Sequence, residues 1–215
     1  MPTEQDRENN LQHAREVAYQ CMLEYGVNFT NYELVAKKSG LGLRTLRRYF
    51  RNKVELVCDV MQTIGKERYR ETCEAMVATI SKDACGLEQL RQIHYRMYDL
   101  CKNRRSPWLM LSELELFAYD NRISGEILGQ YLTETRNSKK YVKQILLKGM
   151  KDGSIRTDID PDAYTTLLAN TYVGMLQRMG ASRYAETEQS VAAFNEQVDL
   201  HVNAVISLLR TRENR

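Results

Sequence analysis

Arg44, Arg47, Arg48 and Arg51 fall within eight residues of one another. A guanidinium is planar and permanently charged. Its forked N–H groups match phosphate oxygens and the O6/N7 edge of guanine. Anion recognition is therefore the chemistry this stretch can perform. From Lys37 to Lys53 the chain has seven basic residues and no acidic one, while the formal charge of the whole chain is only +3. The positive charge is thus local, and the remainder is net acidic. A basic face alone can also be plain solvated surface, so the elements that carry it decide the matter.

Those elements are legible from Tyr32 to Leu56, YELVAKKSGLGLRTLRRYFRNKVEL. Val35 and Ala36 sit close to a turn, and Ser39-Gly40-Leu41-Gly42 interrupts the helical period. Leu43 to Phe50 resumes it, with Leu46 and Phe50 on one face and the arginines opposite. This reads as helix, tight turn, second helix and the start of a third. A basic stripe on the second helix of such a pair is the electrostatic footprint of a DNA-reading helix-turn-helix.

Around this module the chain reads as helical throughout. Residues 1 to about 9 form a polar arm, and a first helix runs from about Asn10 to Tyr25, stopped by Gly26. Thr30-x-x-Glu33 has capping-box spacing for the next helix. Asn52 is the candidate cap of a long helix from Lys53 to about Thr79. Further helices follow Gly86, start at Ser106-Pro107, and run over 124–151 with a weak point at 136–138. The last two start at Asp160-Pro161, ending near Met179, and near Thr187. No segment alternates with period two, so the expected class is all-α, with about nine helices. A boundary within the long fourth helix divides a DNA-binding domain, 1–55, from a larger domain, 56–215.

Several classes of function are disfavoured. The five cysteines are odd in number, scattered and without a CxxC, which fits a reducing cytoplasm rather than disulfides or zinc. No apolar run reaches the roughly 18 residues a membrane helix needs. The polar N-terminus, MPTEQDRENN, does not read as a signal peptide. The chain has no HExxH, G-x-S-x-G, P-loop or dinucleotide fingerprint, so neither catalysis nor a cofactor is expected.

The stretch GVNFTNYELVAKKSGLGLRTLRRYFRNKVEL resembles the N-terminal domain of the tetracycline-repressor (TetR) family of bacterial transcription regulators. Gly26, Thr30, Val35, Ala36, Gly40, Thr45, Leu46, Tyr49, Phe50, Lys53, Glu55 and Leu56 fit the family pattern in register. Strong motif agreement covers about residues 14 to 61. Beyond it only the architecture and a Gly149…Gly153-x-Ile155 signature agree. Two positions depart: Gly42 stands where a capping Ser or Thr is usual, and Arg47 where a Tyr is usual.

The resemblance implies a cytoplasmic homodimer that binds a double-stranded, pseudopalindromic DNA operator and releases it when an unknown small-molecule effector binds the C-terminal domain. Arg44, Thr45 and Arg48 are expected at the major groove, with Arg44 reading a guanine. Arg47, Tyr49, Lys53 and Thr30 are expected at phosphates. For the effector, Tyr98, Trp108, Met110, Glu113, Phe117, Tyr141 and Tyr172 supply aromatic surface with a few polar groups. Each is also an ordinary core residue at this spacing, and His94 reads first as a core histidine. Thr171, Gly174, Met175, Val198, Val202 and Leu209 are the expected dimer residues on the last two helices. An activator, a ligand-independent regulator, and an all-α carrier with a vestigial helix-turn-helix are the alternatives. An all-helical enzyme would need a convergent acid–base pair, and none is evident.

Overall fold

The computed structural model describes residues 3–102, 107–127, 129–181 and 188–211. Among these the chain forms eleven α-helices and one π-helical turn. They are α1 (Glu4–Tyr25), α2 (Tyr32–Ser39), α3 (Leu43–Tyr49), α4 (Lys53–Val60), α5 (Lys66–Ala78) and α6 (Gly86–Lys102). Then follow α7 (Pro107–Asp120), α8 (Gly129–Asn137), α9 (Lys139–Lys151), α10 (Pro161–Ala181) and α11 (Glu188–Leu209). Nine expected helices become eleven because two are interrupted. The helix from Lys53 contains a π turn at Met61–Gly65, and the expected weak point near 136–138 separates α8 from α9. Ser106 and Thr187, two expected helix starts, lie outside the described residues. Contrary to expectation, α10 continues through Gly180 to Ala181.

The chain packs into two compact units. The first comprises Met1–Arg70 with Arg104–Thr135. Its α1 starts earlier than expected. Thr3 and Asp6 form a reciprocal capping box that carries the helix through residues expected as an arm. Ala14, Ala18, Cys21 and Met22 recur at helical spacing and are buried. They join Val35, Leu46, Phe50, Leu56 and Val57 in the buried core of the helix-turn-helix. Arg15 ties α1 to α4 through two hydrogen bonds to the Asp59 carboxylate, at 2.7 and 3.0 Å. This pairing holds the Arg15 guanidinium above its ordinary pKa.

The second unit comprises Glu71–Asn103 with Arg136–Arg215. Here α6 packs against α9 and α11, and α10 packs against α9. The Gly149-x-x-x-Gly153-x-Ile155 signature forms the joint. A Cβ on Gly86 would lie 2.2 Å from the Gly149 Cα, and one on Gly149 would lie 2.4 Å from the Ile155 Cδ1. Only hydrogen at both positions lets the helices come this close. On either side of Gly153, whose φ is +77°, Asp152 and Ser154 accept the first N–H groups of α6 from Gly86 and Leu87, at 2.7 and 3.0 Å. Ile155 bridges antiparallel to Arg210, fastening the end of α11 to the same corner.

Candidate nucleic-acid interface

The two helices of the motif are set by their caps. The Asn31 side chain, not the Thr30 hydroxyl, caps α2 by accepting the Leu34 N–H at 2.9 Å. The helix ends at Gly40, whose φ of +73° is left-handed and costs glycine little. Gly42 starts α3 without a side-chain cap. The Tyr32 hydroxyl donates to the Phe50 carbonyl at 2.9 Å, closing α2 onto the end of α3. Asn52 accepts the Glu55 N–H at 2.9 Å and so starts α4 where expected.

With Leu46 and Phe50 buried, the other face of α3 is turned outward. Arg44, Thr45, Arg47 and Arg48 line an open hollow of about 590 Å³. Arg44 and Arg48 are exposed and have no ion-pair partner among the described residues. Arg47 reaches Glu33 only at 4.0 Å, with both side chains largely in water, so that pair contributes little and is easily exchanged. Arg48 lies over the Tyr49 ring at 5.5 Å, and the Tyr49 hydroxyl donates to the Arg7 carbonyl. The arrangement presents three guanidiniums and a threonine from one short, firmly anchored helix.

Two expected phosphate contacts are placed differently. Thr30 is fully buried, and its hydroxyl donates to the Gly26 carbonyl at 2.9 Å. It braces the bend between α1 and α2 and offers no donor outward, so the phosphate assignment does not hold for it. The Lys53 ammonium donates to the Asn28 carbonyl and lies 5.6 Å from the Phe117 ring centre. Burial pushes its pKa below the usual lysine value.

Of the expected effector residues, Tyr98 and Tyr172 meet in the second unit with ring centres 5.6 Å apart. Tyr141 is half-buried on α9 beneath the Lys140 ammonium. Trp108, Met110, Glu113 and Phe117 belong to the first unit. There Trp108 packs on Tyr69 at 5.1 Å, Met110 and Phe117 are buried, and Glu113 accepts the Val27 N–H. His201, which belongs to no sequence motif, stands beside His94, Tyr98 and Tyr172. Its only signal in the sequence is its register, three residues after Val198 and seven after Phe194 on α11.

The expected dimer residues also divide. Val198, Val202 and Leu209 are buried within the single chain, so they are corrected to core. Their spacing selects the inward stripe of α11. Met175 accepts a hydrogen bond from Tyr98, and the Thr171 hydroxyl donates back to the Leu167 carbonyl. Gly174 is exposed, as are the apolar Leu167 on α10 and Leu200 and Leu208 on α11. No helix among the described residues is long and apolar enough to cross a membrane.

No family model matches the chain. The uncharacterized HTH-type transcriptional regulator YhgD of Bacillus subtilis (strain 168) is 22% identical over 162 residues, covering 75% of this chain and 79% of that protein. A TetR transcriptional regulator from Chloroflexus aurantiacus superposes with a TM-score of 0.67 at 15% identity, over 96% of this chain and 98% of the other. The fatty acid degradation regulator FadR from Bacillus halodurans gives 0.66 at 14% identity, over 94% and 97%. A protein from Saccharomonospora viridis in complex with choline gives 0.66 at 16% identity, over 95% and 100%. The all-α fold, with an N-terminal helix-turn-helix and a C-terminal helical region, is that of the TetR-family regulators.

Proposed function

We propose that this protein is a TetR-family transcriptional regulator, acting in the cytoplasm as a repressor that a small molecule releases from its operator. The observation that carries the reading is the exposed Arg44, Arg47 and Arg48 face of α3, held in helix-turn-helix register by buried Leu46 and Phe50. Residues 1–55 serve as the DNA-binding module and 56–215 as the effector-binding and dimerisation region. Arg44 reads a guanine by a bidentate contact and Arg47 neutralises a phosphate. Arg48, expected at the major groove, is assigned instead to a phosphate because its guanidinium lies over the ring of Tyr49, itself an expected phosphate contact. Two copies pair through the exposed apolar faces of α10 and α11, including Leu167, Gly174, Leu200 and Leu208. Twofold pairing presents two recognition helices to successive major grooves of a pseudopalindrome. The effector favours a dimer geometry that no longer fits both grooves, and operator affinity falls by the ratio of its affinities for the two states. The choline complex of the Saccharomonospora viridis protein, which shares this fold, supports a small-molecule role for the C-terminal region.

The test is selection of bound fragments from bulk bacterial genomic DNA at two salt concentrations, with the wild type beside Arg44→Ala. The expected result is enrichment of a pseudopalindrome that Arg44→Ala loses or relaxes. Equal retention of all sequences, vanishing as salt rises, would mean phosphate attraction alone and would favour the carrier reading.

A further inference from the structure

Three buried polar atoms in the second unit have no hydrogen-bond partner among the described residues: His94 Nε2, His201 Nε2 and the Tyr172 hydroxyl. They come from three helices, α6, α11 and α10, and their rings cluster together. The His94 and Tyr172 ring centres are 4.9 Å apart, those of Tyr172 and His201 6.2 Å, and those of His94 and His201 6.3 Å. His94 is fully buried and Tyr172 nearly so. A core built only for packing has no use for such groups, because each unmet donor or acceptor costs free energy when buried. Three in one cluster define a place where polar partners belong.

The chemistry of the three atoms is specific. His94 Nδ1 faces the Leu90 carbonyl, which can only accept, so the ring carries its hydrogen on Nδ1. Nε2 is therefore a bare lone pair that accepts from an O–H or N–H. Burial drives the His94 pKa down to about 4 and lowers that of His201, so both rings are neutral near pH 7. The Tyr172 hydroxyl can donate and accept. Tyr98 and Phe194 add aromatic surface, their ring centres 6.2 Å apart, and Met175 adds a thioether held by the Tyr98 hydroxyl. Among the described residues, no carboxylate, lysine or arginine acts on the titration of His94 or His201: burial lowers both, and the Leu90 carbonyl and His201 act besides on His94. A buried charge would go unpaired here, whereas a flat neutral ligand with a hydroxyl would meet both the rings and the polar atoms.

We infer that His94, Tyr172 and His201 form a binding subsite for a neutral, hydroxyl-bearing aromatic small molecule. This deepens the effector part of the regulator reading and rests on that reading only for its consequence at DNA. A quaternary ammonium such as choline suits an aromatic cage and carries a hydroxyl, but it brings a permanent charge that these neutral rings do not balance. A divalent transition metal suits imidazoles, but among the described residues no third His, Cys, Asp or Glu joins His94 and His201 to hold one.

The experiment titrates the full-length protein, without DNA, with phenol, toluene, choline and zinc chloride, by calorimetry and by imidazole ¹⁵N NMR. Phenol is expected to bind at least tenfold more tightly than toluene and to shift the His94 Nε2 resonance. Tyr172→Phe, which removes one hydroxyl and keeps the ring, is expected to weaken phenol several-fold and leave toluene unchanged. His94→Phe is expected to abolish the preference. Absence of phenol binding, equal affinity for phenol and toluene, indifference of phenol to Tyr172→Phe, or preferential uptake of choline or zinc would each overturn the assignment. Because binding is read on the protein alone, its failure leaves the Arg44 selection untouched, and failure of that selection leaves this titration valid.

Discussion

The Glu113 Oε2 accepts the Val27 N–H at 2.9 Å, joining α7 to the bend that precedes the helix-turn-helix. A residue expected as an effector contact thus serves a backbone group 86 positions away. The same oxygen would lie 2.8 Å from a Cβ on Gly26, whose φ of +91° already disfavours a side chain. Glu113→Ala leaves the Val27 N–H without its acceptor and should cost about 1–3 kcal/mol. Gly26→Ala should cost at least as much, through strain and the clash together. Chemical denaturation of both variants tests this. Unchanged stability in Glu113→Ala would show that water or another group replaces the carboxylate without loss.

Arg48 and Lys53 should differ in their effect on the salt dependence of DNA binding. Each phosphate neutralised adds about 0.9 to the slope of log affinity against log salt. Arg48 is exposed and has no acidic partner among the described residues, so Arg48→Ala should lower that slope by about one such step. Lys53 already donates to the Asn28 carbonyl over the Phe117 ring, so Lys53→Ala should change the slope less and lower stability more. Fluorescence anisotropy across a salt series, paired with melting curves, separates the two. Equal slopes would mean that Lys53 leaves Asn28 when DNA binds.

The helix-turn-helix can be read from the chain because its determinants are local. Gly40 at the turn, Asn52 at a cap, and Leu46 and Phe50 four apart each act within a few residues. What escapes such a reading depends on partners distant in the chain or on burial. The Thr30 hydroxyl looks available in the sequence because only the fold buries it against the Gly26 carbonyl. The contacts of Lys53 with the Asn28 carbonyl and the Phe117 ring are made by tertiary packing and leave no mark in the local sequence. Val198, Val202 and Leu209 suggest a dimer face because apolar periodicity marks a face without saying what covers it. His201 gives no motif at all, since its neighbours His94 and Tyr172 lie on other helices.

The joint between α6 and α9 should be intolerant in a graded way. A Cβ on Gly86 meets the Gly149 backbone, which cannot yield without separating the helices. A Cβ on Gly149 meets the end of the Ile155 side chain as its nearest neighbour. Gly86→Ala should therefore destabilise by about 1–3 kcal/mol or more, as overpacked cores do. Gly149→Ala should be partly rescued by Ile155→Val, which removes the Cδ1 methyl, whereas Gly86→Ala should not. Melting of the single and double variants decides it. Rescue of Gly86→Ala by Ile155→Val would mean that the strain passes through the side chain, not the backbone.

His94 should make the protein acid-sensitive in a defined window. Its folded-state pKa, about 4, lies below the ordinary value of 6.5 because burial penalises the imidazolium. Between these values the unfolded chain binds a proton that the folded chain refuses, so stability rises with pH across this range. The contribution is fully present above about pH 6.5 and is lost progressively as pH falls toward 4. The full difference is of order 3 kcal/mol at about 1.36 kcal/mol per unit. Lowered in the same direction by burial, His201 adds to the effect. His94→Phe removes the group, so the stability difference between wild type and variant should shift in the variant's favour as pH falls from about 7 to about 4. Denaturation midpoints taken at closely spaced pH values measure that difference directly, and carboxylates common to both proteins cancel from it. A difference that stays flat across the window would mean that His94 accepts its proton in the folded state, with the α6, α10 and α11 cluster opening to water to receive it.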